Sequence, residues 1–176
     1  QIGAKVINRS LGGPLAFVSA AVVQMIQDAI LVAHAAGVVV VAAAGNNNTN
    51  VNDFIPASLD NVITVSATDS SDVRAAFSNY GSAVDLAAPG VHVWSTTPTA
   101  NTSDMSRYGI GSSYDYLKGT SMAAPFVSGL VAMLLSQDPT ATDDDILRRL
   151  KYSSVDLGTS GWDPYFGYGR IDAFHA

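Results

Sequence analysis

Apolar and polar positions along this chain fall into alternating runs of different period. Residues 5–8, Lys5-Val6-Ile7-Asn8, read as a short buried strand. It runs into a turn at residues 10–14, rich in Gly and Pro. Over residues 15–36 the pattern is helical. Gln24, Gln27, Asp28 and His34 fall near one stripe, and Val18, Val22, Met25, Ile26, Ala29 and Ala33 lie around the rest. Gly37 suits the helix stop. Residues 38–44 then follow without polar alternation, as expected for a parallel strand buried on both faces. Strand, helix and strand in immediate succession predict a right-handed βαβ unit.

The second half continues the pattern. A polar loop from Gly45 reaches Pro56, and residues 62–66 form the next strand. Residues 69–79 read as turn and loop anchored by Phe77. Short strands at residues 84–88 and 91–94 flank Pro89-Gly90, with His92 inside the second. Residues 98–115, rich in Ser, Thr, Gly and Tyr, read as an exposed loop or hairpin. An almost wholly apolar helix is predicted over residues 120–136, ended by Asp138-Pro139. Pro125 is placed in its first turn, where a missing N–H has no helical partner to lose. Thr142 caps a further helix, with Asp143, Asp144 and Asp145 in its first turn and Arg148, Arg149 and Lys151 toward its end. There is no repeat and no linker. Residues 1–176 read as part of one α/β domain with a mainly parallel sheet flanked by helices.

Composition narrows the functional classes. Hydrophobic residues make up 48% of the 176 and charged residues 14%, so the chain is built to bury a core. The absence of Cys removes disulfides, thiolate metal sites and thiol nucleophiles. A net charge of −6 with no Lys/Arg cluster argues against nucleic acid as a partner. No apolar run reaches the length of a membrane span without polar interruption, and no membrane partner is expected. The start lacks a signal peptide and opens inside what reads as a strand, so the chain is read as a fragment or processed product. Gly45-Asn46 after a strand invites a phosphate-loop reading, which the lack of a Gly-Lys-Ser/Thr removes.

The candidate chemistry sits at Gly119-Thr120-Ser121-Met122-Ala123-Ala124-Pro125. A hydroxyl at the N-terminus of a buried helix meets backbone N–H groups and a dipole that favour developing negative charge. That setting suits a nucleophile whose reaction builds an oxyanion. It equally describes a capping serine, the commoner case. Asn46, taken alone, is a turn residue closing a strand.

Three stretches together resemble one family, the subtilisin-like serine proteases. Gly119 to Pro125 is similar to the family's nucleophile motif. Residues 39–46 resemble its strand ending in Gly-Asn, and Ser10-Leu11-Gly12-Gly13 resembles its substrate-binding segment. Phe77-Ser78-Asn79-Tyr80-Gly81, Ala88-Pro89-Gly90 and Gly167-Tyr168-Gly169-Arg170 fit as well, so the resemblance covers essentially the whole chain. It implies a subtilisin-like fold, incomplete at its N-terminus, and a serine endopeptidase acting on peptide or protein substrates outside the cell. It implies Ser121 as nucleophile, with its own backbone N–H and the side-chain amide of Asn46 holding the oxyanion. Ser10, Leu11 and Gly12 would pair with substrate as a strand edge, the glycines allowing close approach of another backbone. Ala43, Ala44 and Gly45 would form one wall of the pocket for the residue before the cut, open enough for a large apolar or aromatic side chain. No cofactor is needed for the chemistry. A structural calcium ion is a candidate, held by the carbonyls of Asp60 and Val62 and the carboxylate of Asp85, since oxygen ligands suit a hard cation.

The sequence departs from the family in one respect that matters. The Asp-Thr/Ser-Gly and His-Gly-Thr-His stretches that carry the other two members of the triad are absent. Three histidines remain. His34 is expected to face solvent, His92 lies in a predicted strand, and His175 is next to the last residue. None has the setting of a catalytic base. The Asp and His are therefore expected from an N-terminal segment of the same protein, and the isolated chain is expected to be inactive. Phe126, where many family members carry His, is expected to adjust packing only. The alternative is a non-catalytic, protease-like module that binds peptides.

Overall fold

The structure is a computed structural model that describes residues 3–176. Its elements in chain order are β1 (Val6–Arg9), β2 (Gly13–Pro14), α1 (Ala20–Ala35), β3 (Val39–Ala43), β4 (Phe54–Ile55), β5 (Ile63–Thr68) and β6 (Leu86–Pro89). There follow β7 (Val93–Thr96), α2 (Ser103–Tyr108), β8 (Tyr114–Leu117), α3 (Thr120–Gln137) and α4 (Asp143–Ser153). Strands β1, β3, β5 and β6 form one parallel sheet in that order. Strand β2 pairs antiparallel with β4, and β7 with β8.

The two-residue period of a strand divides the core. Val39, Val41 and Ala43 of β3, Ile63, Val65 and Ala67 of β5, and Leu86 and Ala88 of β6 form one buried cluster. The facing side chains come from α3, among them Ala124, Val127, Leu130, Val131 and Leu134. Each such Val or Leu, fully buried, contributes about 1.5–3 kcal/mol, so this layer is the main source of stability. The intervening positions face the other way. Val40 lines a cavity with Ile26 and Ile30 of α1. Thr64 and Ser66 are fully buried there, and their hydroxyls donate to the carbonyls of Ala57 and Tyr165 at 2.5 and 2.8 Å. At Thr64 and Ser66 strand β5 can thus be polar on its second side while buried, because loops supply the acceptors; the hydroxyl of Thr68, also fully buried, has no such partner.

Several local expectations are corrected. The first helix is shorter than predicted. Residues 15–17 form a separate 3-10 turn, and the Ser19 hydroxyl caps α1 by accepting from the Val22 N–H at 3.4 Å. The stretch read as loop or hairpin contains α2, capped by Thr102 and anchored by buried Met105. Six residues are too few to display a helical period. His92 lies outside β7, with φ 54°, in the turn that precedes it. By length and composition α3 is apolar enough to cross a membrane, although Ser121, Ser128 and Ser136 interrupt the run as expected. Its packing on all four strands of the parallel sheet gives the apolarity a different use.

Helix α4 shows a complete capping box. The Thr142 hydroxyl accepts from the Asp145 N–H at 3.1 Å, and the Asp145 carboxylate accepts from the Thr142 N–H at 3.2 Å. Thr142→Ala removes one half of it, and urea unfolding should show a loss of about 1 kcal/mol, while Thr142→Ser retains most of the stability.

Candidate active site

Strand β3 ends at Ala43, and the first turn of α3 meets the chain just beyond it. Thr120, fully buried, makes the junction. Its N–H donates to Asn46 Oδ1 at 2.8 Å and its hydroxyl donates to the same oxygen at 2.9 Å. The Gly45 N–H donates to that hydroxyl at 3.1 Å. A backbone N–H can only donate, so the oxygen of the Asn46 amide must face Thr120 and its Nδ2 must face away as a donor. The loop that carries Asn46 is held from behind by Asn79, also fully buried. Its Oδ1 accepts from the N–H groups of Asn47 and Thr49 at 2.9 and 3.2 Å, and its Nδ2 donates to the Ala44 carbonyl at 2.8 Å. Sequence reasoning gave Thr120 and Asn79 no role. Both stand in the stretches that carried the family resemblance, but their function is set by partners many residues away.

Pro125 is the sixth residue of α3, beyond the first turn in which the sequence placed it. Its position has a local consequence. In a regular helix the N–H of residue 125 would donate to the carbonyl of Ser121, but proline has no N–H. The Ser121 carbonyl instead accepts from the hydroxyl of Ser10 at 2.8 Å. The exchange is reciprocal, because the Ser121 hydroxyl donates to the Ser10 carbonyl at 3.0 Å. Asn8 extends the arrangement: its Nδ2 donates to the Ser10 hydroxyl at 2.9 Å, and its Oδ1 accepts from the Ser128 hydroxyl at 3.0 Å. The end of β1 is thereby tied to α3 at two points about two turns apart, Ser121 and Ser128.

Ser10, Leu11, Gly12, Ala43, Gly45, Asn46 and Ser121 line one cavity of about 260 Å³, together with Phe54 and Ile55. Ala44 is the exception. Its side chain is fully buried in a separate cluster with Val51, Ala57 and Val84, because it follows Ala43 and points to the opposite side. The close approach that requires glycine at position 12 is internal. A Cβ there would come within 2.5 Å of the Ile55 carbonyl oxygen, so the missing side chain makes room for the chain's own β4. Leu11 is well exposed beside it.

Among the described residues, none of the histidines bonds to Ser121. His34 faces α4 and pairs with Asp143, rather than standing free in solvent. His92 lies edge-on to Tyr116, and His175 pairs with Asp172 at 2.8 Å. Phe126 is exposed, so the packing role expected of it finds little to pack against. Two of the three donors expected for calcium, those of Asp85 and Asp60, are already engaged. The Asp85 carboxylate accepts from the Thr64 N–H at 2.9 Å and lies 3.7 Å from the Lys151 ammonium. Burial pushes the Asp85 carboxyl above its ordinary range, against the Thr64 amide and the Lys151 charge, which pull it down. The Asp60 carbonyl accepts from Gln27 Nε2 at 3.3 Å. Val62 shares a cavity with Asp60 and Asp85, but Ca²⁺ takes six to eight oxygens, and these residues do not fit it as they stand.

The chain matches the family model described as "Subtilase family" over residues 1–169. It is 39% identical to subtilisin DY of Bacillus licheniformis, over 98% of this chain and 56% of that protein. A solved lanthipeptide protease superposes with a TM-score of 0.85 at 26% identity, over 98% of this chain and 60% of that one. A protease from Pseudoalteromonas arctica superposes with a TM-score of 0.81 at 37% identity, over 97% of this chain and 49% of that one. The chain thus spans about half the length of the proteins it resembles.

The Ser10–Ser121–Pro125 arrangement makes a coupled prediction. Ser10→Ala strands a carbonyl and should cost about 1–3 kcal/mol in denaturant unfolding. Pro125→Ala supplies a helical N–H for the same carbonyl. In that background Ser10→Ala should cost less, by about 0.5–3 kcal/mol in a double-mutant cycle. Additive losses would mean that the two residues do not share the Ser121 carbonyl.

Proposed function

Because this chain belongs to the subtilase family, we propose that it supplies the nucleophile, the oxyanion donors and the substrate-binding edge of a serine endopeptidase. The observation that carries this reading is the locked amide of Asn46 beside the helix start that bears Ser121. Ser121 Oγ attacks the scissile carbonyl, giving up its proton to a base. The tetrahedral oxyanion then accepts from Asn46 Nδ2 and from the Ser121 N–H, which as a first-turn amide has no intrahelical partner. Thr120 acts through Asn46 and keeps the amide donor from rotating. The tetrahedral species collapses to an acyl-enzyme on Ser121 as the C–N bond breaks and the base hands its proton to the leaving amine; water, deprotonated by the same base, then attacks the ester and releases the acid and the Ser121 hydroxyl.

The base and its orienting carboxylate come from another segment of the same protein, preceding residue 1. Supporting this, each histidine among the described residues is engaged elsewhere or remote, and the relatives are about twice as long. Peptide substrate lies along Ser10, Leu11 and Gly12 and places the side chain before the cut in the 260 Å³ cavity. Phe54 and Ile55 in its lining favour a large apolar or aromatic residue there. An extracellular location goes with this reading.

In the full-length protein a fluorophosphonate should label Ser121, and Ser121→Ala should abolish both labelling and peptide hydrolysis. Asn46→Leu should lower kcat by about 10²–10³, a magnitude borrowed from the loss of an oxyanion donor in a subtilisin. Thr120→Val should lower kcat with little change in KM, and Thr120→Ser should retain most of the rate. The isolated chain should hydrolyse nothing at a steady rate. Turnover by that chain, lost in Ser121→Ala, would falsify the assignment of the base to another segment.

A further inference from the structure

We propose that Lys151 supplies, from within the chain, the positive charge that the sequence led us to expect from a metal ion at Asp85. Asp85 leads into β6 and is clamped to β5 in both directions. Its N–H donates to the Thr64 carbonyl at 2.9 Å, and its carboxylate accepts from the Thr64 N–H at 2.9 Å. A carboxylate largely withdrawn from water in this way is stabilised by an opposite charge close by. Lys151 brings one from the last turn of α4, with Nζ 3.7 Å from Asp85 Oδ1. The ammonium is held from a second side by the ring of Tyr168, whose centre lies 4.4 Å away. Tyr168 is itself tied to the site, its N–H donating to the Asp85 carbonyl at 2.8 Å. The lysine therefore joins α4, the approach to β6 and the C-terminal loop at one point, as a bound cation would.

The surroundings agree. Among the described residues there is no group of three or more His, Cys, Asp or Glu side chains that could hold a metal ion. The Asp60 main chain is held by Gln27, which accepts from its N–H at 3.0 Å and donates to its carbonyl at 3.3 Å. A cavity of about 350 Å³ beside Asp85 also presents Asp143 and Asp144 from the start of α4. With Lys151 in place, a divalent ion approaching the Asp85 carboxylate meets a positive charge 3.7 Å from its oxygen. Without it, Asp85 would face a cavity lined by carboxylates and lacking a cation, a setting that attracts one.

Thermal unfolding of the full-length protein in excess EGTA and in millimolar calcium tests this without reference to activity. In EGTA, Lys151→Met should lower Tm by about 2–4 °C. Calcium should restore that loss in Lys151→Met but not in the Lys151→Met/Asp85→Asn double variant. The wild type and Asp85→Asn should respond to calcium equally, any shift they share arising at other sites. Three results overturn the proposal. They are a Lys151→Met variant as stable as the wild type in EGTA, a loss that calcium does not restore, and a calcium response of the wild type larger than that of Asp85→Asn.

Discussion

The structure depends on how the first turns of α3 are fixed to the carboxyl ends of β1 and β3. An apolar helix lying on a parallel sheet can slide and rotate, since hydrophobic burial is not directional. What sets its position here is a small group of polar contacts at one end. Thr120 joins the helix to Asn46 and Gly45 beyond β3. Ser121 exchanges hydrogen bonds with Ser10 beyond β1. The second exchange exists because Pro125 withholds the donor that would otherwise occupy the Ser121 carbonyl. A residue that weakens the helix locally thus directs it, by leaving a strong acceptor that only a particular neighbour can satisfy.

The sheet makes this possible by separating its two faces. One face of β3, β5 and β6 is given to α3, and its side chains are small or branched, so the helix lies close. The other face is divided between α1 and loops. It tolerates the buried hydroxyls of Thr64 and Ser66 because loop carbonyls accept from them. Asn79 serves the same purpose for the loop after β3, where it substitutes for the regular pairing the chain has left behind. The partners of Asn79 in turn fix the loop that bears Asn46.

Much of this was legible in the sequence. The unbroken Val run of β3, the apolar length of α3 and the Thr142 capping box each follow local rules, and each element lies within a few residues of its expected place. Ser121 and Asn46 were identified through family resemblance, and they do come together. What escaped was long-range or too short to be periodic. Helix α2 is six residues, below the length at which a period can be recognised. The family resemblance placed Ala44 in the pocket wall, but alternation along the strand turns it to the opposite side. The partnership of His34 with Asp143, and of Lys151 with Asp85, joins residues far apart in the chain, and no spacing rule connects them.

The two halves of the proposed chemistry have different structural requirements, and this chain separates them. Oxyanion stabilisation needs donors that are fixed before the reaction begins. Here the donor at Asn46 is fixed by β3, α3 and the loop behind Asn79, all within the chain. Proton transfer needs a base within hydrogen-bond reach of Ser121 Oγ. In the present arrangement that hydroxyl is turned toward the Ser10 carbonyl, an acceptor that cannot remove its proton. The contact keeps the side chain in one orientation while leaving it a weak nucleophile. A base arriving from elsewhere in the protein would have to take the proton from this bond, and the other hydrogen bond of the pair, from Ser10 to the Ser121 carbonyl, would hold the backbone in place while it did so.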